Sequence, residues 1–176
     1  MKSYIAILFH LVLLSCNSEP DTQTQQEKVA SIKRISNGVN RNQDLKSIEL
    51  DAEEFLDQTP DGGGSLTGYF DNKSLVKIVE WIGLSYGTIE IEYYFDKENL
   101  IFAVAKESHF LVTDSGVNHN KLTAVFEGQY YIEKNNFFKI SKKGSGIWDS
   151  GQDDNIPILA NAAEYSKLLY KKKNGD

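Results

Sequence analysis

Between Leu66 and Ile140 the chain alternates apolar and polar residues and is rich in β-branched and aromatic types, the pattern of half-buried strands. The clearest stretch is GTIEIEYYFD. Ile89, Ile91, Tyr93 and Phe95 fall on one side of it, and Thr88, Glu90, Glu92 and Tyr94 on the other. On both flanks the period changes. Val29, Ile32, Ile35 and Val39 are spaced three, three and four apart, which keeps them on one helical face, although Asn37-Gly38 offers that helix an earlier end. Ile158, Ala162, Tyr165 and Leu169 form a second stripe, spaced four, three and four, and Lys171 to Lys173 follow where positive charge suits the helix dipole. LKSIELDAEEFL, from Leu45, fits a helix through Leu45, Ile48, Ala52 and Leu56, or a strand through Ile48 and Leu50. TPDGGGS, from Thr59, breaks any regular element.

Within the alternating region one order of residue types occurs three times: GYFDNKSLVKI from Gly68, EYYFDKENLIF from Glu92 and GQYYIEKNNFFKI from Gly128. With Tyr69, Tyr94 and Tyr131 aligned, an acid follows two positions later (Asp71, Asp96, Glu133) and a large apolar residue six later (Leu75, Leu100, Phe137). The polar residues between them tolerate turn geometry, so each unit predicts a β-hairpin with a connection of four to five residues. Spacings of 25 and 37 between the tyrosines exclude a strict solenoid, which keeps one period. The expected fold class is α+β: an antiparallel β-meander of about six strands, in three hairpin repeats, covered by N-terminal and C-terminal helices because a bare apolar sheet face would aggregate.

The N-terminus predicts an address. MKSYIAILFHLVLLSC has one positive charge at Lys2 and an apolar run from Tyr4 to Leu14, interrupted by His10. That run is too short to span a bilayer stably and suits the apolar core of a secretory signal peptide. Cys16 is the only cysteine in the chain, so an exported form has no disulfide partner for it within the chain. The apolar run therefore reads as a signal peptide, the polar stretch from Asn17 to Gln26 as a flexible tether, and residues 27–176 as a single domain.

The whole chain carries a formal charge of −6, and loss of Lys2 leaves 18 basic against 25 acidic residues, or −7. That balance argues against a nucleic-acid partner, which needs a basic patch. No other apolar stretch approaches the roughly 18 residues of a membrane span.

Leu13, Ser15 and Cys16 resemble the lipobox of bacterial lipoproteins. The resemblance implies lipidation of the Cys16 thiol, cleavage before it and acylation of the new amino terminus, which makes residues 1–15 the signal peptide and residues 16–26 the lipidated cysteine and tether. It implies a protein anchored in the cell envelope, with the outer membrane as the expected site, and Glu19 and Asp21 fit no pattern that fixes the leaflet. Several acyl chains anchor stably where one does not, at about 0.8 kcal/mol per buried methylene. The hairpin motif at Gly68 to Ile78, Tyr93 to Phe102 and Gly128 to Ile140 resembles one common in small lipoproteins of Gram-negative bacteria, particularly the Bacteroidota. It is loosely similar also to MORN repeats, which keep a regular period that this chain lacks. Neither resemblance carries a catalytic residue.

Candidate chemistry is sparse. ESHFLVTDSGVNHN brings Glu107, His109, Asp114 and His119 together in sequence. His109 and His119 are the metal or acid–base candidates, able to converge across a hairpin, although the spacing is not that of a helical zinc motif. Ordinary strand-end and turn residues are the alternative. DQTPDGGGSLTG lacks both the Lys-Ser/Thr of a phosphate loop and the alternating acids of a calcium loop. Gly144 to Gly146 lacks a nucleophile elbow. KKGSGIWDSGQDDNIP sets Trp148 among Asp149, Asp153 and Asp154, a candidate site for a sugar or cation, unless the ring caps the core. No cofactor is expected. The sequence thus predicts a non-enzymatic, membrane-tethered protein that contacts an envelope protein partner, with Tyr94 and Tyr131 either as contact residues or as shields of the second sheet face beneath a helix. The alternative is a small-ligand or glycan binder built on the Trp148 loop.

Overall fold

In a computed structural model, which describes residues 22–146 and 155–175, the alternating region forms an antiparallel sheet whose strands follow one another in chain order. Its strands are β1 (Lys46–Asp51), β2 (Gly64–Asp71), β3 (Ser74–Leu84), β4 (Gly87–Asp96), β5 (Asn99–Thr113), β6 (Gly116–Glu133) and β7 (Asn136–Gly144). Helices α1 (Thr22–Arg41) and α3 (Asn155–Asn174) flank the sheet in sequence, and α2 (Ala52–Phe55) is a single turn between β1 and β2. The α+β meander is as expected, but it has seven strands rather than six. The additional strand comes from the ambiguous Leu45–Leu56 stretch, where both periodicities operate in turn. Leu50 is buried from β1, Ala52 is buried from α2, and the Glu54 carboxylate accepts the Asp51 backbone N–H at 3.1 Å to start the turn.

The three repeats are the hairpins β2–β3, β4–β5 and β6–β7. Their connections are two residues long, not four to five: Asp71 pairs with Ser74, Asp96 with Asn99 and Glu133 with Asn136. Left-handed backbone at Asn72, at Lys97 and Glu98, and at Lys134 and Asn135 closes these tight turns. Each hairpin carries a one-residue bulge just after its aligned tyrosine, with Val76, Ile101 and Phe138 as the extra residues. The bulge lets Ile101 and Phe102, neighbours in sequence, pack into the same cluster. The repeat therefore encodes a twisted, kinked hairpin and not merely a turn.

One sheet face carries the larger core. Leu66, Phe70, Ile78, Ile91, Tyr93 and Phe126 pack there against Ile158, Ala162, Tyr165 and Leu169 of α3. Gly68 is needed at that contact, since a β-carbon would lie 2.8 Å from Leu169 Cδ1. On the other face Ile32, with Val29 and Val39 beside it, packs over Tyr94, Phe102 and Tyr131. Here α1 begins at Thr22, so Thr22 to Gln26, expected in the tether, are helical. It runs past Asn37-Gly38 to Arg41 because Val39 extends its apolar stripe and Asn40 Nδ2 donates to the Tyr94 hydroxyl at 2.9 Å. No described helix is long and apolar enough to cross a membrane.

Candidate functional site

The sequence placed its acid–base candidates on β5 and β6. Glu107 stays in phase with Ala103 and Ala105, residues of the α3-side core, and its side chain is 0% exposed. His109 Nε2 lies 2.7 Å from Glu107 Oε1 with the imidazole 41% exposed, and the Tyr86 ring meets it edge-on at 5.0 Å. The Gly146 backbone passes so close that a β-carbon there would sit 2.2 Å from Glu107 Oε2. His119 is held elsewhere, against the Phe110 ring at 4.8 Å. Asp114 occupies the turn between β5 and β6. The structure thus joins Glu107 to His109 and separates both from Asp114 and His119 in their contacts. Among the described residues no group of three or more His, Cys, Asp or Glu side chains could hold a metal. A buried carboxylate orienting an imidazole is half of an acid–base device, but no described hydroxyl or thiol is hydrogen-bonded to that imidazole to complete it.

Trp148, Asp149, Asp153 and Asp154 lie outside the described residues, as does Cys16. Of the two roles open to Tyr94 and Tyr131, the structure shows shielding of the second sheet face and not surface contact: each is 1% exposed and sits beneath α1. The Tyr94 hydroxyl donates to Glu92 Oε2 at 2.6 Å. Burial and then this carboxylate hold its pKa above the ordinary phenol value.

Sequence reading missed a second buried carboxylate. Glu80 of β3 accepts from the Tyr93 hydroxyl at 2.7 Å and from the Tyr165 hydroxyl at 2.9 Å. Burial raises its pKa, and the two donors oppose that rise. Burial and the same carboxylate push both tyrosines upward. The signal was present in the chain, because Glu80 stands in phase with Ile78 and Ile82. This network is sealed under α3 and fixes the helix rather than offering a reactive group.

Among the described residues two surfaces remain open. α1 covers the turn-proximal part of its face, and beyond it β3 to β6 present Trp81, Glu90, Lys106 and Glu127 in one cross-strand row. The second surface is the β5–β6 arm. β4 pairs with β5 only as far as His109, and β7 pairs with β6 only back to Phe126. Leu111 to Leu122 therefore form a ribbon with no third strand. It exposes Val112 at 73%, Val117 and Leu122 at 49% and Leu111 at 38%. A separate groove of about 410 Å³ runs between α1 and the turns at Lys97 and Lys134.

Compared with protein-family models, with curated proteins and with solved structures, the chain matches none.

Proposed function

We propose that this chain is a non-enzymatic binding subunit of a bacterial cell envelope, held to the outer membrane by lipid on Cys16 and docking a partner protein through its β5–β6 arm. The arm carries this reading. A two-stranded ribbon gains little stability by itself, and this one holds four large apolar side chains in water. Cover by a partner would remove that cost, and interface cores are built from such side chains. The apolar N-terminal run and the lone cysteine support the anchor.

A photoreactive amino acid at Val112 in full-length protein, activated in native envelopes, should link one partner in near-equal amount. The same probe at Arg34 on α1 should not, and Val117→Glu should abolish the Val112 product. Equal labelling from both positions would refute the docking surface. The anchor is tested separately: wild type should enter the detergent phase on partitioning and Cys16→Ser should lose its acyl mass.

A further inference from the structure

The open part of the α1-side face contains a small pocket that meets the arm only at Leu122 and that the buried carboxylates do not use. It has a volume of about 210 Å³ and is lined by Trp81, Thr88, Glu90, Lys106 and Ser108, with Leu122 and Ala124 at one wall. Two neighbouring cross-strand rows build it. One presents Trp81, Glu90 and Lys106, and the other Thr88, Ser108 and Ala124. The first row supplies an aromatic face, a carboxylate and an ammonium. The second supplies small side chains and hydroxyls.

The polar groups of this pocket are unengaged. Glu90 and Lys106 stand directly opposite each other on β4 and β5. Yet the side chains of Trp81, Thr88, Glu90, Lys106 and Ser108 make no hydrogen bond or ion pair with another described residue, and none is among those with further interactions. An indole N–H, an ammonium, a carboxylate and two hydroxyls can therefore all turn to a ligand without breaking an internal contact.

We propose that this pocket binds one sugar ring of a neutral glycan. The carbon-bound hydrogens on one side of a pyranose are apolar and slightly positive, and they suit the negative face of the Trp81 indole. Ring hydroxyls would donate to Glu90 and accept from Lys106, with Thr88 and Ser108 doing either. One acid and one base line the pocket, with Glu127 beyond Lys106 in the same row, so an anion is disfavoured and a cation is the competing ligand to be tested. A quaternary ammonium is recognised by a cage of several rings, and here there is one. The volume falls below the roughly 300 to 1,000 Å³ of sites for drug-sized molecules, so one ring fills it. The site lies on the sheet surface, so the adjoining rings of a polymer can run on across it.

Calorimetric titration of the full chain, in a detergent without a sugar head group, tests this with cellotetraose, maltotetraose and chitotetraose, and with choline as the cationic probe. At least one sugar should bind saturably. Trp81→Ala should weaken it at least tenfold, and Glu90→Gln and Lys106→Met severalfold each. Val112→Glu, on the arm, should leave it unchanged. The two substitutions at Glu90 and Lys106 keep the test decisive if Trp81→Ala fails to fold. Absence of binding by all three sugars, wild-type affinity in Lys106→Met and Glu90→Gln, or tighter binding of choline than of any sugar would each overturn the proposal. None of these outcomes bears on the arm, whose test reads a protein cross-link.

Discussion

Glu80 shows how one residue ties a helix to the sheet and makes that tie depend on pH. Its two oxygens accept from Tyr93 of β4 and Tyr165 of α3. Tyr165→Phe should leave one buried carboxylate oxygen without its donor and destabilise the fold by about 1 to 3 kcal/mol, read from urea unfolding at neutral pH. The pH dependence has a definite sign. Burial raises the folded-state pKa of Glu80 above the ordinary value of 4.5, so between those two values the folded chain holds a proton that the unfolded chain has released. Stability from this group is then greatest below the unfolded value and falls as pH rises through the folded one. Glu80→Gln cannot ionise. Its stability relative to wild type should improve as the pH is raised from 4 towards neutrality; a constant difference over that range would show that Glu80 titrates alike in both states.

At the scale of elements, each hairpin unites a turn, a bulge and an aligned tyrosine, which is buried at Tyr94 and Tyr131 and half-buried at Tyr69. Two of the turns place residues other than glycine in left-handed backbone at both central positions: Lys97-Glu98 and Lys134-Asn135. Asn-Gly suits such a turn best, since lysine and glutamate meet β-carbon crowding there. The double change Lys97→Asn with Glu98→Gly should stabilise the chain by about 1 kcal/mol, after allowance for the entropy of glycine, and raise Tm by roughly 2 to 4 °C.

These hairpins were legible in the sequence because Tyr, acid, polar pair and apolar residue recur in fixed order. Their true length was not, since the chain carries no glycine at the turn centres to announce a two-residue connection. β1 was obscured because Ile48 and Leu50 alternate while Leu45, Ile48, Ala52 and Leu56 also suit a helix. The burial of Tyr94 and Tyr131 was one of two readings the sequence left open. Alternation assigns a residue to a face, but only the path of α1 decides whether that face is covered. The same limit hid the Trp81 pocket, whose members come from β3, β4, β5 and β6 and meet only when the register is known.

For the whole molecule, the unequal layers imply unequal local stability. α3 inserts four core side chains, hydrogen-bonds Glu80 through Tyr165 and accepts the Leu75 backbone N–H at the Tyr170 hydroxyl. α1 has one fully packed apolar residue, Ile32, with Val29 and Val39 beside it. Its polar ties include the Asn40–Tyr94 bond, the Lys77 ammonium donating to the Asn40 amide oxygen at 3.0 Å, a Gln25 contact to the Phe138 carbonyl and the exposed Lys28–Glu133 pair. An exposed pair of that kind contributes under about 1 kcal/mol. The helix should therefore open without the rest of the fold, and its amides should exchange at least about tenfold faster than those of α3 at the same pH. Ile32→Asp puts a charge against the aromatic row and should detach α1 selectively. Protection along α1 should then vanish, while α3 and the central strands stay within about threefold of wild type. Tyr94, Phe102 and Tyr131 would become exposed and bind a hydrophobic dye. Loss of protection throughout the sheet would show instead that α1 belongs to one cooperative unit with α3. On the proposed reading this difference has a use: α1 is the element next to the anchored end, so its release would lengthen the tether and extend the open sheet face beyond the Trp81 pocket without disturbing the arm.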